Sequence, residues 1–193
     1  YKIRESSLDD RTYFSDLENL EPTFDGGFNI EKVADLAGNA LDYTINKKMM
    51  RIDLPRPLKP GTKFSFSIDW WYNINDRMKD GGRSGYEHFP EEDNYLDTIA
   101  QFFPRLCAYY DRMGWQNKQF LGSGEFTLEF GDYDVSITVP SDHIVASTGV
   151  LQNAKEVLTA EQRARLEQAK ASDKPVLIVT EEEARENEKT KEK

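Results

Sequence analysis

The sequence predicts a mostly β domain that contains one α-helix, and three observations support this prediction. Apolar and polar residues alternate over residues 64–70, which is the period of a strand with one buried face. Similar short runs recur between clusters of glycine, proline, asparagine and aspartate, the residues that favour turns. Residues 159–172 instead favour a helix, because Thr159 and Gln162 fit a capping box and good helix formers follow them.

The other predicted elements rest on alternation and on turn chemistry. A Gly-Asn pair between β-patterned runs favours a tight hairpin turn, and proline closes a strand because it cannot donate to a ladder. Residues 73–95 are polar and rich in glycine, which predicts a long loop. The remaining predicted elements are a hairpin at 30–45 that turns at Gly38-Asn39, a strand at 50–54, a strand at 99–110 interrupted at Pro104, a hairpin at 126–139 that turns at Gly131-Asp132, and a strand at 176–179.

Changes in composition divide the chain into three predicted segments. Residues 1–29 are polar and turn-rich, so they are predicted to be irregular. Residues 30–180 are the predicted β-rich domain. The chain has eleven Phe, nine Tyr and three Trp, and each aromatic side chain can bury about 150–250 Å² in a core. Residues 181–193 are mostly charged with mixed sign, which predicts a linker or tail.

Charge and cysteine content exclude several classes of function. The net charge of −10 would repel a nucleic acid backbone and disfavours an anionic membrane. No apolar run approaches the roughly 20 residues that span a bilayer. No signal peptide is present, and because the chain starts at Tyr1 an export signal could lie upstream, which leaves the compartment open. The single cysteine, Cys107, allows no intrachain disulfide or thiolate metal site and is expected to be a small buried hydrophobe.

The sequence contains no recognisable reaction centre. The histidines His88 and His143 are 55 residues apart and do not form the H-E-x-x-H pair of a zinc protease, so both are expected to be surface or loop-anchoring residues. Ser123 lies between two glycines but outside a G-x-S-x-G elbow. Residues 81–84 lack the Gly-Lys-Ser/Thr ending of a phosphate-binding loop. We therefore predict no catalytic residue and no metal ligand in this chain.

Five ordered blocks nevertheless resemble the N-terminal domain of the aminopeptidase N family, the zinc-dependent, thermolysin-like exopeptidases, and most closely its bacterial branch. The blocks are Arg-Ser-Gly-Tyr at 83–86, Ala-Gln-Phe-Phe-Pro-Arg at 100–105, Gly-Trp-Gln-Asn-Lys-Gln-Phe at 114–120, Gly-Asp-Tyr-Asp-Val-Ser-Ile-Thr-Val-Pro at 131–140, and Ala-Ser-Thr-Gly at 146–149. Their order and spacing carry the resemblance, since each block alone is short.

The resemblance implies a fold and a role. In this family the N-terminal domain is a curved, saddle-like antiparallel β-structure that docks on the catalytic domain of the same polypeptide and helps to close the substrate cavity. Gln101 matches a loop glutamine that projects towards the free amino end of the peptide substrate. Phe103 stands where the family commonly has the Glu or Gln that holds this amine, so an apolar contact is expected there. The zinc site belongs to the next domain, so zinc is expected there and no cofactor in this chain.

The resemblance also leaves two questions of partnership open. The first strands of the family's domain are short or missing ahead of Asp25, which would expose a sheet edge and favour self-association. The alternative to an aminopeptidase domain is a stand-alone β-sandwich that binds carbohydrate or protein through an aromatic surface. Burial decides between them, and most of the candidate aromatics are expected in the core. The candidates are Trp70, Trp71, Tyr72, Tyr109, Tyr110 and Trp115.

Overall fold

A computed structural model describes residues 25–119, 127–187 and 189. The chain divides into two compact units, Tyr1–Asp132 and Tyr133–Lys193. Strands account for 25% and helices for 17% of the structure, which confirms the mostly β prediction. In the part of the chain that the structure describes, the strands form separate two-stranded antiparallel sheets, and no helix there is long and apolar enough to cross a membrane.

The elements are numbered in chain order. The strands are β1 (Asn29–Asp35), β2 (Tyr43–Asn46), β3 (Met49–Ile52), β4 (Phe66–Trp71), β5 (Gly85–Phe89), β6 (Asn94–Thr98), β7 (Tyr109–Tyr110) and β8 (Gly114–Trp115). The helices are α1 (Arg77–Asp80), α2 (Ala154–Val157), α3 (Ala160–Lys170) and α4 (Glu181–Asn187).

The first sheet pairs β1 with β4 and confirms the strand predicted from the alternation at 64–70. Val33 lies opposite Ile68, and a bulge between Ile30 and Lys32 shifts the register near the other end. Ile68 and Trp70 are half-buried while their neighbours are exposed, as the period-2 pattern requires. Val33 and Ala34 belong to the small buried core of this unit.

The predicted hairpin at 30–45 is right about the turn and wrong about the pairing. The Asp35 carboxylate accepts hydrogen bonds from the backbone N–H groups of Ala37 and Asn39, both 2.9 Å away, which fixes the turn. Bonds from Asn39 also hold the pKa of Asp35 below its ordinary value. Beyond a single bridge between Ala34 and Ala40, the two segments of the predicted hairpin separate. Strand β2 then pairs with β3, because the two-residue turn between them closes a shorter loop.

The loop predicted at 73–95 is instead a helix followed by a hairpin. Helix α1 begins after Asp76, whose side chain caps it, and β5 pairs with β6 in register, with His88 opposite Tyr95. The rings of these two residues stack with centroids 4.5 Å apart. Arg77 reaches Glu87 of β5 at 2.6 Å. Cross-strand pairs of polar and aromatic residues hold this hairpin, and an apolar alternation is not needed to form it.

Three further strand predictions are wrong for the described residues. Within 99–110 the described structure has the two residues of β7, which pair with β8, and an isolated bridge at Cys107. Within 127–139 the described β-pairing is the isolated bridge between Leu128 and Cys107, and Phe126 of that predicted hairpin lies outside the described residues. Residues 176–179 form no strand. An alternating pattern defines which face a strand would bury, but it does not supply the partner strand.

The second unit contains α2, α3 and α4, and it confirms the helix predicted at about 159–172. The prediction of a single helix is wrong, because the described residues form four helices. The Thr159 hydroxyl accepts from the Gln162 N–H, and the Gln162 side chain accepts from the Thr159 N–H, which is the predicted capping box. The segment predicted as a charged linker or tail forms α4 over its first half. A second reciprocal cap, between Thr180 and Glu183, begins that helix.

One ion pair links α3 to α4 and predicts a pH dependence. Arg165 Nη1 lies 2.6 Å from Glu183 Oε2, and this hydrogen bond is the main cause that lowers the pKa of Glu183. Because the pKa is lower in the folded state, the stabilisation is complete above the ordinary glutamate pKa of about 4.3. It is lost as the pH falls through the lowered pKa. We expect the Ala184 amide, which donates to Thr180 O, to exchange faster below this range.

A pair of glutamine variants checks this expectation by hydrogen exchange between pH 3 and pH 7, on the order of the glutamate titration range. Glu183→Gln removes the titrating partner, so the acid-induced increase in exchange at Ala184 should disappear. Glu181→Gln is the matched control, because among the described residues the ion pair of Glu181 is with the exposed Arg185 one turn further on. An unchanged profile in Glu183→Gln would show that another group controls the acid response.

Candidate functional site

Gln101 lies in a loop that holds an unusual backbone conformation. Its φ of +55° is in the left-handed region, which non-glycine residues rarely adopt. Such a conformation costs about 1–2 kcal/mol and persists only where the surroundings hold it. The Gln101 side chain is exposed. We call residues 100–103 the Gln101 loop.

Ser84 holds the loop on the N-terminal side of Gln101. The Ser84 hydroxyl donates to the Ala100 carbonyl oxygen at 2.8 Å and accepts from the Ala100 N–H at 2.8 Å. Backbone pairing between β5 and β6 ends at Gly85 and Thr98. The hydroxyl therefore continues the ladder beyond its last backbone pair and fixes the peptide groups that flank Gln101 on this side.

Trp70 holds the loop on the C-terminal side. Its indole Nε1–H donates to the Phe102 carbonyl oxygen at 3.1 Å, so β4 is joined to the loop. The Phe102 and Phe103 rings contact each other edge to face, with centroids 5.1 Å apart. Phe102 is exposed and Phe103 is half-buried. The loop thus presents a carboxamide beside an aromatic pair.

The two site residues predicted from the resemblance, Gln101 and Phe103, therefore lie in one short loop. Their roles towards a ligand stay predictions. Ser84 and Trp70 were not predicted as part of the site, because serine and tryptophan have many structural roles and both are distant from Gln101 in sequence. The only signal was that Ser84 lies inside the block 83–86, close to the block that contains Gln101.

The Gln119 side chain forms hydrogen bonds with the backbone at the turn of the β2–β3 hairpin. Gln119 Oε1 accepts from the Lys48 N–H at 3.1 Å, and Gln119 Nε2 donates to the Asn46 carbonyl oxygen at 3.0 Å. Gln119 belongs to the block 114–120, so this block contributes a contact that joins distant parts of the unit. Nearby, Cys107 is half-buried with its Sγ 3.9 Å from Met49 Sδ, which fits the expected apolar role only in part.

Both histidines anchor local structure, as predicted. His88 Nε2 lies 3.1 Å from Asp93 Oδ1 across the turn between β5 and β6, and Asp93 itself has a left-handed φ of +52°. His143 Nδ1 lies 2.8 Å from Asp142 Oδ1. Over the described residues no three His, Cys, Asp or Glu side chains come together as a metal site. These residues therefore do not supply a donor set for zinc, and we assign no catalytic step to them.

The expectation that most candidate aromatics are interior is wrong. Trp71, Tyr109, Tyr110 and Trp115 are exposed. Trp70 and Tyr72 are half-buried, and burial raises the pKa of the Tyr72 hydroxyl. Among the described residues, the buried hydrophobic side chains are small or aliphatic, namely Val33, Ala34, Leu41 and Ala108. The described core therefore leaves much of the aromatic and aliphatic surface available to a partner.

Comparisons with known proteins do not assign the chain to a family. No family model, no curated protein and no solved structure matches it significantly. The features that bear on function are therefore the five sequence blocks and the geometry of the Gln101 loop.

Proposed function

We propose that this chain is the non-catalytic N-terminal β-domain of a bacterial zinc aminopeptidase of the aminopeptidase N family. In this proposal it packs on the catalytic domain of the same polypeptide and shapes the substrate cavity. The observation that carries the proposal is the Gln101 loop: the residue that the family places towards the substrate is exposed, has a left-handed φ of +55° and is held on both sides. The saddle-like β-sandwich of that family is the proposed form of the complete domain.

The exposed apolar residues of the second unit support a packing role. Eight of them lie within 133–151 and are accessible to solvent: Tyr133, Val135, Ile137, Val139, Ile144, Val145, Val150 and Leu151. Burying one such aliphatic side chain stabilises an interface by about 1.5–3 kcal/mol. Contiguous exposed apolar residues are typical of protein–protein contact surfaces. Most of block 131–140 and all of block 146–149 fall in this segment, so the resemblance and the exposure point to the same stretch of the chain.

The proposed chemical role of this chain is binding and not bond cleavage. The Gln101 carboxamide oxygen can accept a hydrogen bond from the ammonium group of a peptide, and hydrogen bonds to charged groups are stronger than neutral ones. Phe102 and Phe103 add apolar contact beside it. Zinc in the catalytic domain would activate water and polarise the scissile carbonyl. The loop would orient the amino end so that the first peptide bond lies at that centre.

Activity measurements on two forms of the protein test the proposal. The purified 193-residue chain, supplied with zinc, should not hydrolyse aminoacyl fluorogenic substrates. The full-length protein that contains it should hydrolyse them, lose activity with a chelator and recover it with zinc. Hydrolysis that stays with the 193-residue chain through further purification would contradict the non-catalytic role. A full-length protein without zinc-dependent activity would contradict the family assignment.

The exposure of four of the six candidate aromatics favours the alternative, a binding module for carbohydrate or protein. Tyr109 and Trp115 are both exposed and contact each other edge to face, with centroids 5.2 Å apart, and such pairs can stack on sugar rings. The same activity experiment separates the two functions. If the full-length protein is inactive and sugars quench the fluorescence of the chain's tryptophans, the binding module is the better assignment.

A further inference from the structure

We infer that Ser84 and Trp70 are positioning residues that hold the Gln101 loop in the shape needed to receive the free amino end of a peptide. The inference rests on the proposed function and names two residues that the resemblance does not assign. It stands on three contacts: two from the Ser84 hydroxyl to Ala100 and one from the Trp70 indole to Phe102.

The positions of these contacts explain why both are needed. The left-handed φ at Gln101 redirects the chain, so the peptide planes before and after it must each be fixed for the side chain to point in one direction. Ser84 satisfies both polar groups of Ala100, directly before Gln101. Trp70 satisfies the carbonyl of Phe102, directly after it. Removing either contact releases one side of Gln101 and lets its backbone relax to an extended or helical conformation.

The two contacts also come from different sheets. Ser84 precedes β5, and Trp70 lies in β4. The Gln101 loop therefore depends on the relative placement of the β5–β6 hairpin and the β1–β4 sheet within the first unit. A site whose residues are held by regular elements is more precise than one on a free loop, and precision within about 0.5 Å decides whether a bound group is oriented productively.

Kinetics of the full-length protein provide the first test, with Ser84→Ala and Trp70→Phe as the variants. Each removes a donor and retains most of the side-chain shape, so we expect KM to rise about five- to ten-fold while kcat changes little. Ser84→Thr keeps the hydroxyl and should restore KM. A purely structural defect would instead reduce the active fraction and lower kcat at an unchanged KM, which would overturn the inference.

Inhibitors identify the chemical group that the loop receives. The probes are a zinc-binding hydroxamate with a free α-amine and its analogue without the amine. We expect Ser84→Ala and Trp70→Phe to weaken only the amine-bearing inhibitor, by about the same five- to ten-fold factor. Equal weakening of both inhibitors would show that the loop does not act on the amine and would overturn the inference.

Matched controls distinguish the effect of losing the loop contacts from a general loss of stability. Ser172 makes the same pair of bonds as Ser84, because its hydroxyl donates to Lys174 O at 2.8 Å and accepts from the Lys174 N–H at 3.1 Å. It belongs to the second compact unit. Ser172→Ala should leave KM and the affinity for both inhibitors unchanged. Trp71→Phe is the control for Trp70, because successive residues of a strand point to opposite faces.

Hydrogen exchange on the 193-residue chain separates failure of this inference from failure of the proposed function. We expect the Ala100 amide to exchange several-fold faster in Ser84→Ala, and at the wild-type rate in Ser84→Thr and Ser172→Ala. Unchanged exchange at Ala100 in Ser84→Ala would overturn the inference even if the parent enzyme is active. If the full-length protein has no zinc-dependent activity, the proposed function fails, and the exchange rates still decide whether Ser84 holds the loop.

Discussion

Replacing Gly85 by alanine is expected to lower the free energy of unfolding of the first unit by about 3 kcal/mol or more. An added Cβ at this position would lie 2.6 Å from the Asn75 carbonyl oxygen and 2.9 Å from Arg77 Cβ. The first of these neighbours is backbone, so it cannot move away as a flexible side chain would. The φ of +148° adds a second cost, since residues that have a Cβ rarely adopt this backbone conformation.

The close approach at Gly85 has a structural purpose. It lets the Tyr86 N–H donate to Asn75 O at 2.9 Å, which joins β5 to the segment before α1. It also places Ser84 next to Ala100. We therefore expect Gly85→Ala to disturb both the hairpin and the Gln101 loop, and hydrogen exchange at Tyr86 should report the first of these effects.

Gly82→Ala is the matched control for this substitution. Gly82 also has a positive φ, +97°, but no heavy atom lies within 4 Å of its added Cβ. It should therefore cost only the conformational term, about 1–2 kcal/mol. Urea unfolding followed by tryptophan fluorescence measures both values. Equal losses in the two variants would show that the steric contact with Asn75 contributes nothing.

The features that could be predicted from the sequence are those that a few neighbouring residues determine. Asp35 fixes its turn through N–H groups two and four residues later. Thr159 and Gln162 cap their helix across one turn. The alternation at 64–70 corresponds to β4. For the turn and the helix cap the stabilising contacts lie within a few residues, and for β4 the alternation alone indicates a strand, so residue type and spacing were sufficient information.

Strand pairing could not be predicted, because it depends on contacts between distant residues. The hairpin of β5 and β6 is stabilised by His88 against Tyr95, and Arg77 reaches Glu87 from α1. None of these residues gives an apolar pattern, so the segment was predicted to be a loop. Conversely, residues 135–139 alternate strongly but are exposed and belong to no described strand. An alternating pattern indicates which face a strand can bury, whereas pairing requires a second strand in matching register.

The candidate site also has features that could be predicted from the sequence and features that could not. Gln101 was predicted because it belongs to a recognisable block. Its left-handed backbone was not, since glutamine has no special preference for that region. The residues that hold it, Ser84 and Trp70, are 16 and 32 positions from their partners Ala100 and Phe102. Only the folded chain brings these three segments together.

Substitutions at Gln101 are the second change with a large expected effect. They distinguish the contribution of the Gln101 side chain from that of its backbone conformation. In the full-length protein, Gln101→Ala removes the carboxamide and keeps the backbone strain. Gln101→Gly removes the carboxamide and also relieves the strain, since glycine adopts a φ of +55° at little cost. Gln101→Asn keeps a shorter carboxamide in a residue that tolerates the left-handed region.

Activity and stability should therefore follow different orders. If the carboxamide binds the peptide's amino end, kcat/KM falls about 10- to 100-fold in both the alanine and glycine variants, and less in asparagine. The free energy of unfolding should instead be higher in the glycine variant than in the alanine variant, by about 1 kcal/mol. A glycine variant with wild-type kcat/KM would show that only the loop conformation matters. The carboxamide would then have no part in binding, and Phe102 and Phe103 would be the remaining candidates for contact with the substrate.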